Sequence, residues 1–367
     1  MSVAVVGAGV TGLAIALHVL DRGAGPVTVF ERAGIAAGAS GIQPGGVRRQ
    51  WATRASCLMA DESYAFWRGF TDRFETRARA RFEPCGYVFL ADEPDTLATL
   101  EAAVALQNEL GIPSRLLTPA EAASRVPGLE PEGLRGGTVC DEDGYFDHPQ
   151  AVVAALAELV SSGGGRLEIT NVRALERDGG GWRLALASGG YAVAEAVVIA
   201  AGADSRSLVA PLGYDLPIAE EPRTLFLSEP ISERLLEPLV IAVDRGIAAK
   251  QLADGRVLAS DLRASREPRR RLRDDLPALL PMLSYVALPI VATGAYDMTP
   301  DGQPVVDTLD DGLWVAAGFS GHGFMVAPST GRLVAAGLVG DALPEWHDAV
   351  RADRFARGSF TNEAQVI

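Results

Sequence analysis

The chain has 367 residues and a formal charge of −14; this length exceeds what one hydrophobic core usually spans, so two packed domains are expected. With 48% apolar and 22% charged residues, the composition excludes the disordered and fibrous classes. The acidic balance and the lack of any Lys/Arg block, Lys250 being the only lysine, argue against a nucleic-acid or anionic membrane partner.

In chain order, Val3 to Val6 form a short β-branched run. Gly-rich punctuation follows, then an apolar helical stretch from Gly12 to Leu20, a G-A-G-P turn and a second β-branched run from Val27 to Phe30. Together these make one βαβ unit. Phe82 to Leu90 reads as a strand, Asp95 to Leu110 as an amphipathic helix, and Pro149 to Ser162 as a helix closed by S-S-G-G-G. Strands are expected at Leu167 to Thr170, Trp182 to Ala187 and Tyr191 to Ala194. The run A-V-V-I-A-A-G-A from Ala196 to Ala203 has the continuous apolar character of a strand buried on both faces of a parallel sheet. From Leu216 to Thr293 alternating strands flank one charged helix, Glu267 to Leu279, predicting a β-rich domain over a ligand. Leu313 to Gly318 is again a buried strand, and a helix follows from Met325 to Val339.

Three cysteines, Cys57, Cys85 and Cys140, are odd in number and contain no CxxC pair, so neither a disulfide framework nor a metal site is expected. The apolar N-terminus lacks a basic n-region and is interrupted by glycines, and no other run is long enough to span a bilayer. A cytoplasmic location is the expectation.

Gly7, Gly9 and Gly12 place G-A-G-V-T-G between the first strand and helix, and Glu31 ends the next strand. Gly7 permits a tight turn, Gly9 lets backbone approach a pyrophosphate, Gly12 lets helix and strand pack closely, and Glu31 accepts ribose hydroxyls. Strand, glycines, helix, second strand and acid in this order predict a dinucleotide site.

Three further segments resemble the D-amino acid oxidase superfamily of flavoproteins, especially its sarcosine oxidase, glycine oxidase and proline dehydrogenase branch. They are A-G-A-S-G-I-Q-P-G-G-V-R-R-Q-W from Ala37 to Trp51, A-A-G-A-D from Ala200 to Asp204, and T-P-D-G-Q-P (Thr299 to Pro304) with G-F-S-G-H-G-F (Gly318 to Phe324). The resemblance implies an α/β fold: a Rossmann-like FAD-binding domain from residues 1–78, 149–213 and 296–367, with an interleaved β-rich (α+β) substrate domain from residues 79–148 and 214–295. It implies FAD contacts from Gly7, Ala8, Gly9, Val10, Thr11 and Gly12, from Glu31 and Arg32, from Ala39 and Ser40, and from Val172, Ala201 and Gly202. Gly318, Gly321, His322, Gly323, Phe324 and Met325 would form the flavin wall. Backbone N–H groups at a helix start suit the negative charge of a reduced flavin.

Covalent members of the branch attach flavin through a cysteine before T-P-D. Gly294 stands near that point here, so non-covalent FAD is expected. The oxygen-activating lysine of the oxidases has no counterpart in Gly255 to Ser260, and Met325 replaces the lysine often found after G-H-G-F; Lys250 is the remaining candidate, or simply a strand lysine. The implied reaction is oxidation of a C–N bond in a sarcosine-, glycine- or proline-like amine by hydride transfer to flavin N5, giving an imine. A substrate carboxylate calls for an arginine fork, and Arg48 and Arg49 are the candidates, one of which could instead pair with an acid. Gln303, Tyr296 and Trp51 are candidates for the cleft. Two alternatives stay open: FAD-dependent 2-hydroxy acid oxidation, and a flavin-binding subunit or assembly protein that needs a partner. The expected partners are a small amine or amino acid, with an electron-acceptor subunit or a homo-oligomer left open.

Overall fold

The first βαβ unit forms as strand Val3–Val6, helix Val10–Asp21 and strand Val27–Glu31, in a computed structural model that describes residues 1–74, 76–77, 80–263 and 267–366. Its two strands are parallel neighbours in a six-stranded sheet of order Val305–Asp310, Leu313–Ala317, Ala196–Ile199, Val3–Val6, Val27–Glu31, Arg166–Ile169. Only Val305–Asp310 runs antiparallel to its neighbour. Every residue of Ala196–Ile199 is buried, as its uninterrupted apolar run predicts, although the strand ends earlier than expected and the chain turns through Gly202–Asp204.

Helices Val10–Asp21, Pro149–Ser162 and Gly323–Val339 pack together on this sheet, with helix Arg54–Arg68 against the last of them. Gly331 sets the closest helix crossing: a Cβ there would stand 2.7 Å from the Ala14 carbonyl oxygen. The last helix begins two residues before the expected Met325 and runs through Pro328. On the other face of the sheet lie three antiparallel strands, Val172–Asp178, Gly181–Leu186 and Tyr191–Ala194. The first of these was not foreseen, because V-R-A-L-E-R-D buries only Val172 and Leu175 and its charges mask the alternation.

The second sheet has eight strands in the order Ile290–Met298, Ala219–Leu227, Val257–Asp261, Ile247–Gln251, Leu239–Ala242, Tyr87–Ala91, Gly136–Cys140, Arg115–Leu117. One face, with Val88, Leu90, Val139, Val240, Ala249 and Ala259, packs against helix Pro268–Leu279 in a separate core. The expected single strand from Phe82 to Leu90 is corrected to two, Phe82–Glu83 and Tyr87–Ala91. Pro84 has no N–H for a ladder, and Gly86 has φ +86°, so the chain kinks and the two pieces join different sheets. The expected division at residues 78 and 79 lies outside the described residues, and strand Ile290–Met298 runs across the one expected at 295 and 296. No helix among the described residues is long and apolar enough to cross a membrane.

Candidate active site

The glycine turn is built as a backbone cradle. Gly7 has φ +113°, and a Cβ on it would lie 2.3 Å from the Ala200 carbonyl oxygen; a Cβ on Gly12 would lie 2.0 Å from that of Gly7. Gly9 faces Ser40, whose hydroxyl would stand 3.1 Å from an added Cβ and accepts the Val10 N–H at 3.0 Å. Gly9, as N-cap of helix Val10–Asp21, brings no side chain of its own, and Ser40 takes only the Val10 N–H, so the partial positive charge of that terminus is still open to an anion. Thr11 and Ala8 are buried within the turn.

Glu31 reaches back over the turn, accepting the Ala8 N–H at 2.9 Å and the Ala33 N–H at 3.0 Å. Arg32 pairs with Asp204 at 2.8 Å, next to Gly202 (φ +58°), while the Ala201 N–H donates to Ser205. Ala39 opens a short 3-10 turn, Ala39–Gly41. Val172 is buried with Phe30 and Val6. The chain thus brings the Ser40 loop and the Ala200 turn to the carboxyl ends of the central strands of the six-stranded sheet, the place where doubly wound sheets bind nucleotides.

The second half of the site lies beneath the eight-stranded sheet. Register and alternation put Tyr296, Gly294, Arg223, Ser260, Lys250, Phe89, Tyr87 and Thr138 on the face opposite its helix. Loop residues 42–50 track across this face at every second position. Ile42 lies against Gly294, Pro44 accepts from Lys250, Gly46 abuts the Tyr87 hydroxyl, Arg48 lies over Phe89 at 5.1 Å, and Gln50 bonds the Tyr87 carbonyl and the Thr138 hydroxyl. This alternation aims Arg48 and Arg49 in different directions.

Arg48 is completely buried. Its guanidinium stacks on Trp51 at 3.7 Å, donates to the carbonyls of Gln50 and Gln365, and comes within 3.5 Å of His322 Nε2. It forms no ion pair with a carboxylate among the described residues, and its Nε has no partner. Burial pulls its pKa down to about 10. Arg49 is engaged differently: Asp143 at 3.2 Å, Asp61 at 3.3 Å and Glu142 at 2.6 Å surround it. With three acids on it and Tyr64 under it at 3.9 Å, Arg49 has little left for a substrate. Of the two candidates, it is the one that pairs with acids.

His322 is the residue immediately before helix Gly323–Val339 and meets Trp51 edge-on at 4.5 Å. Burial, reinforced by Arg48, drops its pKa well below the usual value, so it is a neutral imidazole, with a buried Nδ1 that has no partner. Gly321, at φ +87°, lets Tyr296 lie flat against the turn; an added Cβ would be 2.2 Å from the tyrosine ring. The Gly318 N–H donates to Asp297 at 2.8 Å, a carboxyl raised by burial despite its backbone donors. Gly323 starts the helix. Phe324 departs from the expected flavin wall: its ring stacks on Trp67 at 5.1 Å and meets Phe146 edge-on, inside the aromatic core. Met325 reaches Gly46 with its methyl group, while its carbonyl accepts from Trp67. Gln303 serves the turn and the C-terminal segment, donating to Thr361 O and accepting from Thr53.

Lys250 is buried over the Tyr145 ring at 3.8 Å and donates to Pro44 O; its partners are not those of Arg48 or His322. Burial lowers its pKa to about 7, opposed by Cys85 and Asp147. Between pH 7 and the ordinary lysine range the unfolded chain binds this proton and the folded chain does not, so stability rises with pH in that window. We expect the urea midpoint of the wild type to rise from pH 7 to pH 9.5 relative to Lys250→Met; parallel curves would contradict the assignment.

The cradle of glycines, the open helix start and the orphaned His322 nitrogen together fit a flavin dinucleotide, whose phosphates need close backbone and whose ring needs polar edges. The chain belongs to the DAO family of FAD dependent oxidoreductases, whose model matches residues 2–336, and it is an FAD-dependent enzyme. It is 30% identical to glycine oxidase of Geobacillus kaustophilus over 91% of both chains, and 24% identical to sarcosine oxidase subunit beta of Rhizobium meliloti over 98% of this chain and 90% of that one. Among solved structures, L-proline dehydrogenase from P. horikoshii superposes with a TM-score of 0.90 at 26% identity, over 98% of each chain. This bears out the α/β architecture and the family resemblance.

Sequence reasoning missed Tyr87, Phe89, Gln50 and Gln365. The first two sit in what reads as an ordinary buried strand, and nothing local marks the other two.

Proposed function

We propose that the protein oxidises the C–N bond of a small amino acid or secondary amine that carries a carboxylate. The observation that supports this most is Arg48, a buried guanidinium that has no carboxylate partner among the described residues and lies beside a neutral histidine. A buried cation without a counter-ion is costly and is relieved by an anionic ligand. The planar fork of Arg48 would take the substrate carboxylate.

The glycine turn, Ser40, Glu31 and the Gly318–Gly323 turn would hold non-covalent FAD, which would supply a two-electron acceptor for the substrate α-hydrogen. The roles of the protein groups follow from their surroundings. Trp51 and Phe89 flank Arg48 and exclude water from it. His322, being neutral, orients the amine or its neighbours without adding repulsive charge to an ammonium. Tyr296, whose hydroxyl is held protonated by burial, closes the cleft at Gly321. Loss of an amine proton and hydride leaves an imine, which water hydrolyses. Arg49 is read as a positioning group that fixes the loop. Because Lys250 contacts the loop and not the arginine–histidine pair, the acceptor of electrons is read as other than oxygen, delivered by a partner subunit or a second copy.

Anaerobic addition of sarcosine, proline, pipecolate, glycine, D-amino acids and 2-hydroxy acids tests the reading. We expect loss of flavin absorbance with an amine and none with its hydroxy acid; bleaching by hydroxy acids alone would replace C–N by C–O oxidation.

A further inference from the structure

We infer that the C-terminal segment is part of the substrate-anchoring apparatus, with Glu363 as a positioning residue that sets the Gln365 carbonyl on Arg48. The inference rests on the reading of Arg48 as carboxylate anchor.

Glu363 is 6% exposed. Its carboxylate accepts the Ala52 N–H at 2.9 Å, the Thr53 N–H at 3.0 Å and the Thr53 hydroxyl at 2.8 Å. It therefore grips the residues that lead from Trp51 into helix Arg54–Arg68, immediately after the arginine loop. The Glu363 backbone N–H donates to Asp301 O, and Thr361 O accepts from Gln303, so the segment is stitched to the T-P-D-G-Q-P turn as well. The same carboxylate receives the Gln365 N–H at 3.0 Å. That bond folds the chain back so that the Gln365 carbonyl accepts from Arg48 Nη2 at 2.5 Å.

The geometry matters because, among the described residues, no acid lies within ion-pair distance of Arg48 to orient it. Its two carbonyl partners come from distant parts of the chain, Gln50 in the loop and Gln365 in the tail, and they fix the plane of the fork without an ion pair, Glu363 and Asp143 acting on its charge only through space. A carboxylate partner would orient it as well but would neutralise it and compete with substrate. Arg354 illustrates the difference: both its Nε and Nη2 are taken by Asp301. An oriented, charged fork without an ion pair costs less to organise when ligand arrives.

The test is equilibrium binding to the FAD-loaded protein, read as perturbation of the flavin spectrum by propionate, a carboxylate without an oxidisable amine, and by propionamide. Glu363→Ala is expected to weaken propionate about tenfold and leave propionamide unchanged, a selectivity that general loosening of the fold would not produce. Should that variant not fold, deletion of residues 364–367 keeps the Glu363 cap, removes the Gln365 carbonyl and carries the same expectation. Propionate bound as tightly as by wild type, with Arg48→Leu weakened, overturns the role of the tail alone. Equal weakening of both probes also overturns it. If Arg48→Leu binds propionate normally, the anchor reading and this inference fall together.

Discussion

Arg48→Leu is expected to lower kcat/KM for a carboxylate-bearing amine about 100-fold, or about 2.7 kcal/mol of transition-state stabilisation, with most of the change in KM. A charge-assisted, bidentate contact in a dry site is among the strongest single interactions a protein offers a small ligand, and Arg48 is fully buried and forms no ion pair among the described residues. Arg48→Lys should recover only part of the loss, because a point charge lacks the planar fork. Steady-state kinetics with an amino acid and its amide separate the causes. The amide, without a carboxylate, should be affected little by either substitution, and an equal loss on both substrates would mean that Arg48 shapes the site without binding the carboxylate.

The neighbouring arginine gives the opposite expectation. Arg49→Leu should cost about 3–5 kcal/mol of stability, because removing one partner of a buried pair leaves the other uncompensated. The abandoned group is Asp143, fully buried, which also accepts the Arg49 backbone N–H at 2.9 Å. Burial already pushes the Asp143 carboxyl upward, and Arg49 is what opposes that push. Replacing both, as Arg49→Leu with Asp143→Leu, should recover much of the loss, since an apolar pair of similar volume carries no desolvation cost. Urea unfolding of the single and double variants measures this; a single variant as stable as wild type would show that the buried Asp143 does not depend on Arg49.

Two adjacent arginines with such different expectations show where the sequence stops being readable. Both belong to V-R-R-Q-W, and nothing in that string tells them apart. The difference arises because loop residues 42–50 alternate against a sheet face assembled from strands as distant as Thr138 and Tyr296, so Arg48 turns toward Phe89 and His322 while Arg49 turns toward Asp143. By contrast, the glycine turn was legible because each of its constraints is local: Gly7 and Gly12 touch backbone within one βαβ unit or at its neighbouring strand end. Most of the long helices were legible for the same reason, through their own periodicity, whereas Arg54–Arg68, capped by Thr53, was not delimited from the sequence. Strand Val172–Asp178 was hidden because it buries only two of its seven residues. The break at Pro84 carried a signal, a proline without a ladder donor, that the apolar run around it obscured. Glu363 and Gln365 lie in a polar segment whose importance comes wholly from the groups it meets, Ala52, Thr53 and Arg48.

Phe324 illustrates the converse. A ring inside a cofactor motif invites assignment to the cofactor, yet its neighbour in space is Trp67, parallel at 4°, and the aromatic core takes it. The motif's contribution at that point is the backbone of the turn and the small residues that allow it.

The central claim, oxidation of a C–N bond in an amine held by its carboxylate, is tested most directly by a single anaerobic turnover. The FAD-loaded protein would be mixed with an excess of the amine that bleaches it best, and the quenched mixture analysed for carbonyl product and released amine. For an acyclic amine the account predicts both in amounts equal to the flavin reduced; for a cyclic one, whose nitrogen stays in the product, it predicts the imine or its ring-opened carbonyl in that amount. Reduced flavin without a matching imine or carbonyl product, or with a 2-oxo acid arising only from a 2-hydroxy acid, would contradict it.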